Sequence, residues 1–128
     1  MDYNYSVTIR ETSEGDELSP LEKVKYKDTT DCVRLDLLLE QEKSIIIKPK
    51  KFVVLDIHND KSEDKDYPNY IIVDDTDTKY ITGSATFFNT FINIYDELKD
   101  YQGDWNLKIY KVDSKNYKGK QFITCSVA

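Results

Sequence analysis

The sequence predicts a mostly β fold of the α+β class with one main helix. Three patterns support this prediction. They are runs rich in β-branched and aromatic residues, a stretch with apolar residues at helical spacing, and a closing pair of segments in which polar and apolar residues alternate. In chain order these are strands at 52–57, 69–73 and 78–82, a helix at 84–99, and a hairpin of 105–112 and 120–127.

Three strands, a helix and a two-stranded hairpin follow one another in the order of an OB-fold. The sequence therefore predicts an OB-like five-stranded barrel with the helix between strands three and four. A chain of 128 residues is long enough for one domain with its own core. We expect a single domain over 1–128, in which 52–128 forms the barrel and 1–51 is an N-terminal extension that packs on it.

The first part of this extension carries weak signals. Residues 3–9 alternate and are rich in strand formers, which predicts a short strand. Residues 11–20 are acidic and polar, with a glycine and a proline, and predict a loop. Residues 24–26 predict a short extended piece.

The second part of the extension offers a helix and a basic turn. Residues 28–31 supply capping side chains before an amphipathic segment at 32–42, which predicts a short helix, although a strand at 32–39 is an alternative. A β-branched run at 45–47 follows, and 48–51 reads as a basic turn.

The centre of the chain predicts an antiparallel meander. Residues 52–57 and 69–73 are the two clearest strands, separated by a charged loop at 59–67 that Pro68 ends. Turn residues at 74–77 then lead into the returning strand.

The main helix follows the meander. Ser84 or Thr82 is a suitable N-cap, and Gly103 lies beyond the last turn. The apolar face consists of large side chains at helical spacing: Phe87, Phe88, Phe91, Tyr95 and Leu98.

Bulk properties limit the class of protein. No apolar run reaches the roughly 20 residues of a membrane span, and the first residues lack the features of a signal peptide, so we expect a cytoplasmic protein without a membrane partner. Cys32 and Cys125 are far apart in sequence and predict small buried side chains, with a disulfide or metal role as the alternative.

Charge is distributed unevenly along the chain. The net charge is −6, yet residues 105–128 hold five lysines and one aspartate, a net charge of +4. A polyanion responds to the local field of a surface patch rather than to the sum over the chain. The acidic total therefore does not exclude a basic binding face at the closing hairpin.

Catalytic signatures are sparse. His58 is the single histidine, no nucleophilic triad can be assembled around it, and the chain has neither GxGxxG nor GxxxxGK[ST]. We expect no catalytic residue, no metal site and no cofactor. A small enzyme using His58 with Asp56 or Asp60 is the weakest of the alternatives.

The closing hairpin is the candidate binding surface. If its apolar positions face the core, cationic and aromatic side chains project outward together, and the loop adds more of both. Lysines can follow phosphates while aromatic rings stack on bases, which is what a single-stranded nucleic acid requires. The alternative is an ordinary hairpin whose lysines protect an edge strand. The predicted contact residues are Lys108, Tyr110, Lys115, Tyr117, Lys118, Lys120 and Phe122, and Lys48, Lys50 and Lys51 would either extend the basic track or form a solvated turn.

Several segments carry a resemblance to a known family. They are His58-Asn59, Lys65-Asp66-Tyr67, Thr82-Gly83-Ser84, Phe87-Phe88 and, most specifically, the segment from Ser114 to Cys125. Over residues 52–127 the chain resembles small single-stranded DNA-binding proteins of phages of Gram-positive bacteria. Many single-stranded DNA-binding proteins end in an acidic tail, whereas this chain ends Thr-Cys-Ser-Val-Ala.

The resemblance implies an OB-fold, no catalysis, and protection of single strands during phage replication or recombination in the host cytoplasm. The implied partners are single-stranded DNA, with RNA left open, a second copy of the chain, and host or phage replication proteins. The rival interpretation is an acidic protein-interaction module, for example a phage-encoded inhibitor whose carboxylates mimic the phosphates of DNA.

Overall fold

A computed structural model describes residues 5–128, which form eight strands and three helices. Residues 3 and 4 of the predicted first strand lie outside the described residues. In chain order the elements are β1 (Tyr5–Thr12), α1 (Pro20–Lys27), β2 (Val33–Arg34), α2 (Leu35–Gln41), β3 (Ser44–Ile47), β4 (Pro49–Asn59), β5 (Asp66–Asp74), β6 (Lys79–Thr82), α3 (Ala85–Leu98), β7 (Leu107–Asp113) and β8 (Gln121–Val127).

The strands form two sheets, and the described residues contain no closed barrel. The larger sheet, sheet A, has the order β1-β4-β5-β6-β2, and the smaller one, sheet B, has the order β3-β7-β8. The outer edge of β6 is occupied by β2, which runs parallel to it and pairs Val33 with Tyr80. Because that edge is taken, sheet A does not close onto the hairpin. The fold is mixed α+β, and the predicted five-stranded OB barrel is not confirmed.

The described part of residues 1–51 contributes to both sheets. β1 pairs antiparallel with β4 from Tyr5 opposite Asn59 to Thr12 opposite Val53. β3 pairs antiparallel with β7, with Ile47 opposite Leu107. The segment thus supplies strands to the same sheets as residues 52–128.

Two local predictions in this segment are wrong. Residues 24–26 are helical rather than extended, because Ser19 and Glu22 form a reciprocal capping box and Pro20 occupies the first turn of α1. Residues 28–31 do not cap the next helix. That helix, α2, begins at Leu35, and the carboxylate of Asp28 accepts hydrogen bonds within its own turn from the backbone and hydroxyl of Thr30.

The predicted meander of β4, β5 and β6 is confirmed as antiparallel. The basic turn at 48–51 is shorter than predicted, since only Lys48 separates β3 from β4. Pro68 lies inside β5 instead of ending the loop, opposite Asp56. It is tolerated because β6 pairs only from Tyr70 onward, so Pro68 occupies an edge position.

Sheet A buries apolar side chains on both faces. One face packs against sheet B, α2 and α3, and the other packs against Leu18 and Tyr26 from the region of α1. This explains why the runs at 52–57 and 70–73 are almost continuously apolar.

The helix α3 closes the main core, as its spacing predicts. Ser84 accepts a hydrogen bond from the backbone of Phe87 at 3.1 Å, which caps the first turn. Phe87 and Phe91 are fully buried, and the ring of Phe91 meets that of Phe52 edge-on at a centroid distance of 6.2 Å. No helix in the described range is long and apolar enough to cross a membrane.

Candidate nucleic-acid interface

The closing hairpin places its apolar side chains at positions 107, 109, 123 and 125 toward the core, as its alternation predicts. β7 and β8 pair from Leu107 opposite Val127 to Asp113 opposite Gln121. The buried side chains are the apolar set on one face: Leu107, Ile109, Ile123 and Cys125. Since side chains alternate along a strand, Lys108, Tyr110 and Phe122 lie together on the opposite, outer face.

A cation and a ring are already in contact on this outer face. The Nζ of Lys108 lies 5.4 Å from the centroid of the Tyr110 ring, within the range of a cation–π interaction. Tyr110 lies between Ser44 of β3 and Thr124 of β8, both small side chains. Phe122 is 38% exposed, an unusually accessible position for a phenylalanine.

The loop between the strands is held by its own hydrogen bonds. The backbone N–H of Ser114 donates to the carbonyl of Lys120 at 2.8 Å, and that of Lys120 donates to the carbonyl of Tyr117 at 3.1 Å. Gly119 has φ +82°, a conformation that favours glycine. Tyr117 is 66% exposed at the tip. The loop therefore presents Lys115, Tyr117 and Lys118 to solvent.

Ion pairing divides the lysines into two groups. Within residues 5–128, none of the four hairpin lysines at 108, 115, 118 and 120 forms an ion pair, whereas four lysines associated with sheet A each meet a carboxylate. Those pairs are Lys48–Asp104 at 2.8 Å, Lys50–Asp77 at 3.4 Å, Lys51–Glu14 at 2.7 Å and Lys79–Asp31 at 2.7 Å. The single acid of the hairpin, Asp113, accepts a hydrogen bond from Gln121 at 3.1 Å.

The structure does not bring Lys48, Lys50 and Lys51 into a track with the hairpin loop. Lys48 follows Ile47, which pairs with Leu107 at the end of β7 farthest from the loop, a separation of about 20 Å along the strand. The Lys51 ammonium donates to Glu14, which raises its pKa above the ordinary range. These lysines act as partners of neighbouring carboxylates.

A groove beside the hairpin contains cationic residues that the sequence analysis missed. Its volume is about 720 Å³, and it lies between the start of α2, the end of β6 and the hairpin. Arg34 and Lys111 line it, together with Tyr67 and Phe122. Lys111 could have been noticed in the sequence, because it follows Leu107 and Ile109 on the inward-facing side of β7, where an apolar residue is expected.

His58 is bound on both sides by carboxylates. Its Nδ1 lies 2.7 Å from Asp66 and its Nε2 lies 2.7 Å from Asp60. The hydrogen bond with Asp66 and then that with Asp60 raise the pKa of His58 above its ordinary value of 6.5. Asp56, the other candidate partner, pairs with Arg10 instead. The imidazole thus ties the two ends of the 60–65 loop together.

Both cysteines are free thiols in separate parts of the core. Burial raises the pKa of Cys125 to about 12 and that of Cys32 to about 11. Both side chains therefore remain neutral thiols near pH 7, as small buried residues do.

Comparison of the chain with protein-family models, with curated proteins and with solved structures finds no match. The resemblance to phage single-stranded DNA-binding proteins therefore stays a prediction.

Proposed function

We propose that this protein binds single-stranded DNA without sequence specificity through the outer face and loop of its closing hairpin. The observation that carries the proposal is a set of four lysines that have no carboxylate partner within residues 5–128, interleaved on one hairpin with three aromatic rings, of which two are exposed and that of Tyr110 is half-buried. The lysines are 108, 115, 118 and 120, and the rings belong to Tyr110, Tyr117 and Phe122.

The chemistry of this surface fits a flexible polyanion. An ammonium group without an internal partner can neutralise a phosphate and release its counterion, which makes binding sensitive to salt. An exposed ring can stack on a base, worth about 1–3 kcal/mol, and every base offers a flat face. A duplex keeps its bases stacked inside, so it would use the lysines but not the rings.

The finer fold and the cellular role belong to the same proposal. The order of meander, α3 and hairpin is that of an OB-fold, and we propose that the two sheets are an opened version of that barrel. The setting would be phage replication or recombination in a host cytoplasm. Copies of the chain would bind side by side on one strand, because linked binding sites gain avidity.

A titration of a fluorescein-labelled oligo-dT at low salt, followed by fluorescence polarisation, tests the proposal. We expect saturable binding that unlabelled oligo-dT reverses and that duplex DNA of the same length reverses poorly. An RNA oligonucleotide of the same length, used as a third competitor, shows whether the protein prefers DNA or RNA. Absence of binding at low salt would reject the function.

The rival function, interaction of an acidic surface with a host protein, is favoured by one observation. Asp96, Glu97 and Asp100 at the end of α3 are exposed and form no ion pair within the described residues. No basic residue occupies the last turn of that helix, where the helix dipole favours cations. Replacing all three by Asn or Gln should leave DNA binding intact and remove any acid-dependent capture of a nucleic-acid enzyme.

A further inference from the structure

The groove beside the hairpin begins where β5 runs past the end of β6. Tyr70 is the first residue of β5 that pairs with β6, opposite Thr82, so residues 66–69 have β4 as their only strand neighbour among the described residues. The hairpin and the start of α2 face this free edge across the groove. A volume of about 720 Å³ is ample for one small organic molecule.

Lys111 is the unusual residue of this groove. It lies on the same face of β7 as Leu107 and Ile109, which are fully buried, and opposite Ile123 of β8. An inward-facing lysine is costly unless its ammonium reaches water or a polar partner. Its one hydrogen bond within residues 5–128 is a long one, 3.4 Å to the backbone carbonyl of Asp36. The ammonium is therefore held at the groove wall with capacity for another acceptor.

Arg34 places a second cation in the same groove. Its Nη2 lies 3.3 Å from the carboxylate of Asp36, and the two side chains are 63% and 49% exposed. A surface pair of this kind is weak. Arg34 pairs with the Asp36 carboxylate, whereas Lys111 reaches only the Asp36 backbone carbonyl. Asp36 is the one acid that lines the groove in the described part of the chain, so its two cations leave a positive charge in excess.

Phe122 connects the groove with the proposed binding face. It pairs with Val112, and its side chain lies on the outer side of sheet B, while the residue is also one of those that line the groove. The side chain of Asn69, which lines the opposite wall, forms no hydrogen bond to the protein within the described range. A single-stranded nucleic acid that crosses the hairpin can thus continue beyond Phe122 into the groove, which offers two cations, an aromatic ring and the side-chain amide of Asn69.

We infer that this groove receives one nucleotide of the bound strand, with one of the two phosphates that flank it on Lys111 and the other on Arg34, and with its base beside Phe122 and Tyr67. The inference rests on the proposed function and adds a second contact region to it. The occupant is a nucleoside phosphate unit, because the groove combines an excess cation with aromatic rings and an amide. The hairpin face alone would hold the strand less tightly and through fewer phosphates.

The test is the salt dependence of oligo-dT binding by the double variant Arg34→Gln/Lys111→Gln. For single strands the slope of log K against log salt changes by about 0.7 for each phosphate contact removed, so the slope should become shallower by about 1.4. Lys23→Gln/Lys99→Gln is the matched control, since both lysines are exposed and the loss of charge is the same. Its slope should equal that of the unaltered protein.

Three results separate the two proposals. Lys111→Arg, which keeps the charge, should retain the original slope, and this supports a phosphate contact. If the double variant binds with the same salt slope as the control, the bound nucleic acid does not contact the groove, while the hairpin proposal stands. If the unaltered protein binds no oligo-dT, both proposals fail. If the double variant no longer unfolds cooperatively on heating, the single variant Arg34→Gln, at an exposed position, replaces it. Its salt slope must still become shallower by about 0.7.

Discussion

Lysines and aromatic residues have different surroundings near sheet A and on the closing hairpin. Around sheet A, lysines such as Lys48 and Lys51 contact carboxylates, and aromatic rings such as Phe52 and Phe91 pack on one another. On the hairpin, the lysines have no carboxylate partner within residues 5–128, and rings such as Tyr117 face solvent.

This difference indicates which lysines and aromatic rings are available to contact a ligand. A lysine in an exposed pair adds little stability, but its charge is already compensated locally. A lysine without a partner keeps its full field for a ligand. A net charge of −6 therefore hides a surface whose cations are uncompensated, and changes in the two regions should have opposite consequences for stability and binding.

The largest effect on stability should come from the replacement of a buried aromatic ring in the core beside sheet A. Phe91 is fully buried against Phe52 and α3 neighbours, so Phe91→Ala should lower the free energy of unfolding by about 3–5 kcal/mol. Urea unfolding measures it. Tyr117→Ala, a matched change at an exposed ring, should cost less than about 0.5 kcal/mol. Equal losses in the two variants would contradict the division of the molecule.

The next effect should come from charge reversal on the hairpin. Lys118→Glu/Lys120→Glu should weaken oligo-dT binding by about 100-fold or more, because two phosphate contacts become repulsions. Lys48→Glu/Lys50→Glu changes the net charge equally but alters lysines that already have carboxylate partners. Its affinity at 0.1 M salt should fall far less than that of the loop variant, since Lys48 lies about 20 Å along the strand from the loop, beyond a Debye length of about 10 Å. Polarisation titrations of the two variants that weaken equally would show that only total charge matters.

A smaller effect is expected from the exposed ring at the loop tip. Tyr117→Ala should weaken oligo-dT binding by about 1–3 kcal/mol through the loss of one stacked base, with an unchanged salt slope. Tyr101→Ala is the control, since Tyr101 is also exposed, at 57%, but lies after α3 and outside the hairpin. A change in slope with Tyr117→Ala would mean that the ring positions a cation instead of stacking.

The smallest effect concerns His58, whose interactions are local to sheet A and its loop. Because the folded pKa is raised by Asp66 and Asp60, the protonated form is the one that stabilises the fold. That contribution is present below pH 6.5, the ordinary value, and is lost as the pH rises through the folded pKa. The stability difference between the protein and His58→Gln should thus be larger at pH 5.5 than at pH 8.5 by urea unfolding. Oligo-dT binding should be the same for both proteins at pH 8.5.

Much of the fold follows from local signals in the sequence. Ser84 and the spacing of Phe87 and Phe91 predict α3, and the alternation in β7 and β8 predicts which side chains are buried. The capping box of Ser19 and Glu22 was also present in the sequence, so α1 could have been predicted from it.

The remainder depends on contacts between distant parts of the chain. The parallel pairing of Val33 with Tyr80 occupies the edge on which barrel closure depends, and no local pattern indicates it. The groove likewise brings Lys111 to Asp36 across 75 positions. Sequence could therefore predict the hairpin side of the candidate site, whereas the groove required the tertiary structure.

The most direct test of the account is the salt dependence of oligo-dT binding by the unaltered protein. Four uncompensated lysines on the hairpin predict a slope of log K against log salt of about −2.8, and the two groove cations make it steeper, to about −4.2. A slope in this range, with poor competition by duplex DNA, is the result that the account predicts. Binding with a slope near zero, or no binding at low salt, would contradict it, and the acidic surface of α3 would then be the region to study.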